Sequence, residues 1–229
     1  MPSRRAAASP SPAAPPAEAA DTRTRIVETA AELFYRRGYG VVGVQDVCAA
    51  AGVSKSSLYH FFPTKEDIAL AVLDRRWEGF RAMTEPLAAQ GLPPLQRLAA
   101  VLEGMHQISR QTHEAWGAVR GCPFGSLGSE LSDAAPAVRD RVARVFDDMG
   151  AMFEAWLREA QGQGALAPGA DSAAMAQDLV AAVQASSVVG RVYNDPARVQ
   201  SIGTRLLAAI LGPAATPPGS SPTRRQAPR

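Results

Sequence analysis

Lysine is nearly absent from this chain. Of 24 basic residues, 22 are arginine and two, Lys55 and Lys65, are lysine. Heavy use of arginine and alanine fits a GC-rich genome. Against that background the two lysines stand out, because both fall in one short stretch. Cysteine is as scarce. Cys48 and Cys122 make no disulfide framework, and no CxxC or Cys/His cluster offers metal-ligand spacing. A reducing cytoplasm is therefore the expected location. No apolar run reaches the roughly 18–20 residues that span a bilayer, so no membrane helix is expected. The first twenty residues hold two arginines followed by Ala, Pro and Ser rather than an apolar segment, so no secretory signal is expected either. The net charge is only +2, so any basic surface must be local.

Catalytic constellations are missing too. The histidines, at 60, 106 and 113, have no HExxH or triad-like companions. Asp147 and Asp148 are adjacent, which on a helix turns them about 100° apart and prevents a facing pair. There is no glycine-rich phosphate loop. Neither an enzyme activity nor a cofactor or metal is expected.

What the chain does hold is helical periodicity. Its 229 residues, 46% hydrophobic, allow one domain or two small ones with a real core. Residues 1–20 and 213–229 are Pro-rich and of low complexity, and are expected to be disordered tails. Their arginines (Arg4, Arg5, Arg224, Arg225 and Arg229) could add non-specific phosphate contacts or simply be solvated. Between the tails the fold class is all-α, with about nine helices. The spacing of apolar residues, caps and breakers predicts helices near 22–37, 45–51, 55–61 and 64–84, the last ending before Pro86. Later helices are expected near 93–111, 122–131, 135–161, 171–192 and 196–211. Asp195 and Pro196 form a strong N-cap and first-turn pair for the last one.

Residues 44–62, VQDVCAAAGVSKSSLYHFF, read as a helix-turn-helix. Val47, Val53 and Leu58 are placed to lock two short helices together. Cys48 and Ala51 are small where the helices approach, and Gly52 stands where the turn needs positive φ. The second helix carries short polar side chains on its outer side, so its backbone can enter a major groove. The residues expected to face DNA are Gln45, Lys55, Ser56, Ser57, Tyr59, His60 and Lys65. Their ordinary alternative is a solvated helix surface.

Residues 24–72 resemble the DNA-binding domain of the tetracycline-repressor (TetR) family of bacterial regulators. The pieces A-x-x-L-F-x-x-x-G-Y, the A-G-V-S-K-x-x-L-Y-x-x-F run and K-x-x-L are present in order and spacing. Two positions depart from the pattern. Gly43 stands where many members have Ser or Thr, which removes a hydroxyl cap and a phosphate contact. Cys48 stands where Ala is usual; it is read as core packing rather than a redox sensor. The segment RGCPFGSLGSELSD, 120–133, is similar to the LmrA/YxaF-like branch, whose members release DNA on binding flat aromatic ligands; that ligand does not transfer with the resemblance.

The resemblance implies a three-helix DNA reader over 21–66 and a helical regulatory and dimerisation domain over 67–212. It implies a DNA-binding regulator, a repressor released by a small hydrophobic or aromatic effector, acting as a homodimer on a palindromic operator. Two recognition helices would then read half-sites about 34–36 Å apart, or a multiple of it. An alternative is a regulator without a small-molecule effector, acting as an activator or through protein partners. Candidate pocket residues are Trp77, Met105, His106, Trp116, Cys122, Phe124, Met149, Phe153, Trp156 and Gln184, any of which could instead be ordinary core. The expected dimer interface, on the last two helices, is Met175, Leu179, Val183, Ser187, Val199, Ile202, Leu206 and Ile210.

Overall fold

The computed structural model describes residues 17–131 and 133–212, and among them every regular element is a helix. The expected tails over 1–16 and 213–229 lie outside the described residues. Residues 17–20, expected in the first tail, open the first helix instead.

The order is α1 (Ala17–Arg37), α2 (Val44–Ala51), α3 (Lys55–Phe61), α4 (Lys65–Ala89), α5 (Pro94–Trp116), α6 (Pro123–Leu131), α7 (Pro136–Gly162), α8 (Ser172–Tyr193) and α9 (Pro196–Leu211). Local chemistry sets most of these limits. Ser54 caps α3 by accepting the Ser57 N–H, and Thr64 and Asp67 form a reciprocal capping box on α4. Asp171 and Asp195 cap α8 and α9 through their carboxylates. Gly117, with φ 67°, ends α5 five residues later than the periodicity suggests. Pro86 does not end α4. It removes an N–H only near the helix C-terminus, where little of the ladder remains to be lost, and Gln90 N–H still bonds to the Pro86 carbonyl.

Two hydrophobic cores result. The first joins α1, α2, α3 and the first half of α4 to α6 and the start of α7; Leu58, Ile68, Leu73 and Val138 are fully buried in it. Removing the Leu58 side chain to Ala would cost about 2–5 kcal/mol. The second core joins α5, the rest of α7, α8 and α9 around Met149, Phe153 and Leu157. The expected domain boundary at 66/67 therefore falls inside α4, and the first core runs across it. α6 packs into the same core as α1, α2 and α3.

Three fastenings hold the larger domain. Arg97, buried on α5, makes a bidentate pair with Glu159 on α7 at 2.6 and 3.0 Å, and its Nε donates to the Leu92 carbonyl. Asn194 takes the left-handed conformation and clasps the 117–119 loop, accepting from Val119 N–H and donating to the Gly117 carbonyl. Gly190 lets α9 approach α8 so closely that a Cβ there would lie 2.2 Å from Val199 Cγ2.

Candidate nucleic-acid interface and effector cavity

The α2–α3 unit has the expected internal construction. Gly52 closes α2 with φ 65° and nothing near the space a Cβ would take, so backbone conformation, not crowding, requires glycine there. Gly43 has no side chain to cap α2, but Asp46 accepts the Gly43 N–H at 2.7 Å. That hydrogen bond holds the Asp46 carboxyl below its usual range. Half of the capping arrangement thus survives the missing hydroxyl. Cys48 is buried in the first core, as packing would have it.

Gln45, Lys55, Ser56, Tyr59 and His60 are exposed on this unit, and Ser57 is half-buried beneath its capping bond. Lys55 Nζ lies 5.8 Å from the Tyr59 ring centroid, one helical turn away. Together these residues form one polar face with a single cation. Lys65 differs from the expectation of a free phosphate contact. Its Nζ donates to the Tyr39 carbonyl at 2.6 Å and sits 3.8 Å from the Tyr39 ring centroid. Burial pushes its pKa down from the ordinary lysine value. One of its three N–H donors is therefore committed to holding the α1–α2 turn.

That turn is gripped from the other side by α6. Glu130 accepts the N–H groups of Tyr39 at 3.1 Å and Gly40 at 2.6 Å. Sequence reading gave no hint of this contact, which spans 90 residues.

Inside the helical domain lies a cavity of about 260 Å³ between α4, α5, α6, α7 and α8, reaching α1. Of the residues expected to line a pocket, Met105, Cys122, Phe124 and Met149 do so. Trp77 stands behind the wall, stacked on Phe80 at 5.4 Å and edge-on to Phe124 at 6.4 Å. Phe153 and Trp156 pack into the second core. Trp116 lies against Tyr35 and Arg36 of α1, away from the cavity. His106 is buried beside Glu103 and Gln184 lies beside Cys122 without lining the cavity.

The lining also includes residues not singled out beforehand: Tyr35, Arg76, Phe80, Met83, Ile108 and Ser109. Arg76, Phe80 and Met83 repeat at i, i+4, i+7 and so share one face of α4, with Trp77 one residue off it. Tyr35 donates its hydroxyl to the Gly121 carbonyl at 2.8 Å, and burial pushes its pKa up to about 12. Burial likewise raises the Cys122 thiol, although the N–H groups of Gly125 and Phe124 and the Gln184 amide act against the rise. A reactive thiol needs the opposite shift. Cys122 is thus a protonated wall residue at neutral pH.

The expected dimer residues divide. Leu179, Val183, Ser187 and Val199 are buried within the protomer and present almost no surface to a partner. Val183 and Ser187 face the cavity, and Val199 fills the space beside Gly190. Met175, Ile202, Leu206 and Ile210 are half-buried. The exposed large apolar side chains on α8 are Val188 and Val192, on the face opposite the buried stripe, and Tyr193 at the helix end, between 60% and 76% exposed. Among the described residues, no helix is long and apolar enough to cross a membrane.

Comparison with known proteins places this architecture. Residues 26–72 match the family model of bacterial regulatory proteins of the tetR family, and residues 94–206 match that of the tetracyclin repressor-like C-terminal domain. The chain is 27% identical to the HTH-type transcriptional repressor DhaR of Mycobacterium sp. (strain GP1), over 82% of this chain and 92% of DhaR. It is 30% identical to the transcriptional regulator AcuR of Cereibacter sphaeroides, over 66% of this chain and 68% of AcuR. It is 26% identical to the HTH-type regulator YxaF of Bacillus subtilis, over 61% of this chain and 71% of that protein. A crystal structure of a TetR transcriptional regulator from Chloroflexus aurantiacus superposes with a TM-score of 0.72 at 26% identity, covering 84% of this chain and 96% of the other.

Proposed function

The chain belongs to the TetR family of DNA-binding transcriptional regulators, which are not enzymes, and from that premise we propose that it is a cytoplasmic repressor that binds a palindromic operator as a homodimer and leaves it when a small hydrophobic or aromatic molecule fills the 260 Å³ cavity. In this reading α3 of each protomer enters a major groove. Gln45, Lys55, Ser56, Ser57, Tyr59 and His60 face the DNA, and Lys65 supports the turn behind them. The exposed α8 side chains Val188 and Val192, with Ile202 and Leu206 of α9, meet their copies to form the dimer.

The observation that carries the reading is the shared use of α4 and α6. The first half of α4 belongs to the core of the DNA head, and its second half walls the cavity. On α6, Phe124 lines the cavity and Glu130 grips the α1–α2 turn. An occupant that prefers a displaced α4 or α6 weakens DNA binding by its differential affinity for the two states. A dry, fully packed domain would favour a regulator without an effector; the cavity argues against it.

The test is a gel-shift titration with the intergenic DNA beside the protein's own gene, in excess competitor DNA. A tight shift that resists competitor supports the reading. A shift that competitor removes in proportion to its length shows non-specific binding only and overturns the operator assignment for that DNA.

A further inference from the structure

The cavity has an apolar body and a cationic end. Phe80, Met83, Met105, Ile108, Phe124 and Met149 provide the body. At the α1 side stands Arg76, which also lines a neighbouring space of about 310 Å³ between α1, α4 and α6. Its guanidinium lies 5.6 Å from the Tyr35 ring centroid, and its Nε is fully buried with no hydrogen-bond partner. A buried donor without a partner is costly, and on a half-buried arginine it leaves a cationic group open to an acceptor.

Arg76 has no ion-pair partner among the described residues, although Glu28 lines the cavity and Glu130 the neighbouring space. Arg76, Arg120 and Arg191 all lie close enough to act electrostatically on the Tyr35 hydroxyl, and none forms an ion pair among the described residues. Arg120 Nε is likewise buried and unpartnered, and Arg191 donates to the neutral Ser126 hydroxyl. The carboxylates nearest the two spaces are already engaged: Glu28 holds Arg75, and Glu130 holds the α1–α2 turn. The Tyr35 hydroxyl donates to the Gly121 carbonyl, and its oxygen accepts no hydrogen bond from Arg76 Nε.

We propose that the ligand of this cavity is an amphipathic organic anion, an apolar body bearing a carboxylate, whose head is bound by Arg76 while its body lies among the methionines and Phe80. This rests on the reading of the cavity as the effector site and adds the charge of the effector. A planar guanidinium suits a carboxylate because two parallel N–H donors match two oxygens. An amine head placed beside Arg76 would meet like charge.

The experiment is isothermal titration calorimetry of the full-length protein, without DNA, using octanoate, octan-1-ol and octylamine, which share one chain and differ in head charge. Octanoate is expected to bind about tenfold to a hundredfold more tightly than octanol, the range of a charge-assisted hydrogen bond, with no binding of octylamine. Arg76→Met, which keeps the length of the stem, is expected to erase the preference for octanoate while still binding octanol. Arg76→Lys is expected to keep part of it, and retained octanol affinity shows that either variant is folded. Octanol binding as well as octanoate, a preference that survives Arg76→Met, or no heat from octanoate at all would each overturn the inference. Because the titration contains no DNA, these outcomes are separate from failure of the operator gel shift, which would bear on the regulator reading alone.

Discussion

Glu130 Oε1 lies 2.6 Å from the Gly40 amide nitrogen, so the end of the cavity helix α6 is bonded directly to the turn that precedes the helix-turn-helix. A Cβ at Gly40 would lie 3.0 Å from the same oxygen, so a side chain there would push on the carboxylate. Glu130→Ala should loosen this joint. The carboxylate is exposed, so the stability loss is expected to be about 1 kcal/mol, or about 2–4 °C in Tm for a chain of this size. The more telling readout is coupling. A ligand that releases the wild-type protein from its operator should bind the variant with similar affinity but release it less completely. Unchanged release would remove Glu130 from the pathway.

One variant can separate the turn-holding role of Lys65 from a phosphate contact. Lys65→Ala should weaken binding to all DNA sequences alike and reduce the salt slope by about 0.9 if the side chain reaches one phosphate. It should also lower Tm, because the Tyr39 carbonyl loses its donor. A drop in Tm with an unchanged salt slope would make Lys65 purely structural.

The division of α8 predicts opposite consequences for neighbouring valines. Val188→Glu combined with Val192→Glu should give a folded monomer by light scattering, with normal helical circular dichroism and no operator complex. Val183→Glu should instead destabilise the protomer, since Val183 is 3% exposed and a carboxylate in its place would be desolvated at the cavity wall. A dimeric Val188/Val192 double variant would place the interface elsewhere.

Acid should release the Arg97–Glu159 fastening. Hydrogen bonding from Arg97 holds the Glu159 carboxyl below the usual 4.5. A carboxyl with a depressed folded-state pKa stabilises the fold fully at neutral pH. That contribution declines as pH falls below the ordinary glutamate range and is gone below the folded value. Thermal melts of wild type and Glu159→Gln should therefore differ most at pH 7, with the difference shrinking as pH falls from the ordinary glutamate range through the folded value. A constant gap across that window would show that the pair's charge contributes nothing.

Helix positions were legible because their signals are local. Gly52, Thr64 with Asp67, and Asp195 with Pro196 each mark an end within a few residues, and the structure keeps all three. α5 was read short although Gly117 stood ready as the stop, because its last turns carry polar residues and the apolar period fades. The cavity was half legible. Met105, Phe124 and Met149 are large and apolar, which marks them as interior, but nothing local distinguishes a wall from a core. Trp156 and Phe153 look the same in sequence and pack solidly. Which expected dimer residues are buried in the protomer itself was illegible for a related reason. On α8 the small and apolar residues surround most of the helix, so period alone does not say which side faces the protomer's own interior. Glu130 was invisible because its partners are backbone amides of distant residues.

The scarcity of lysine has a chemical consequence. Only two side-chain amines exist in the chain, and both belong to the reading head. Lys55 stands in solvent, whereas the Lys65 amine is half-buried and bonded to a carbonyl. An amine-acylating reagent at low dose should mark Lys55 first among the side chains. That one event would neutralise the sole cation of the recognition helix and leave the effector cavity untouched. The rate of that single acylation, with and without operator, would report occupancy of the groove from one atom.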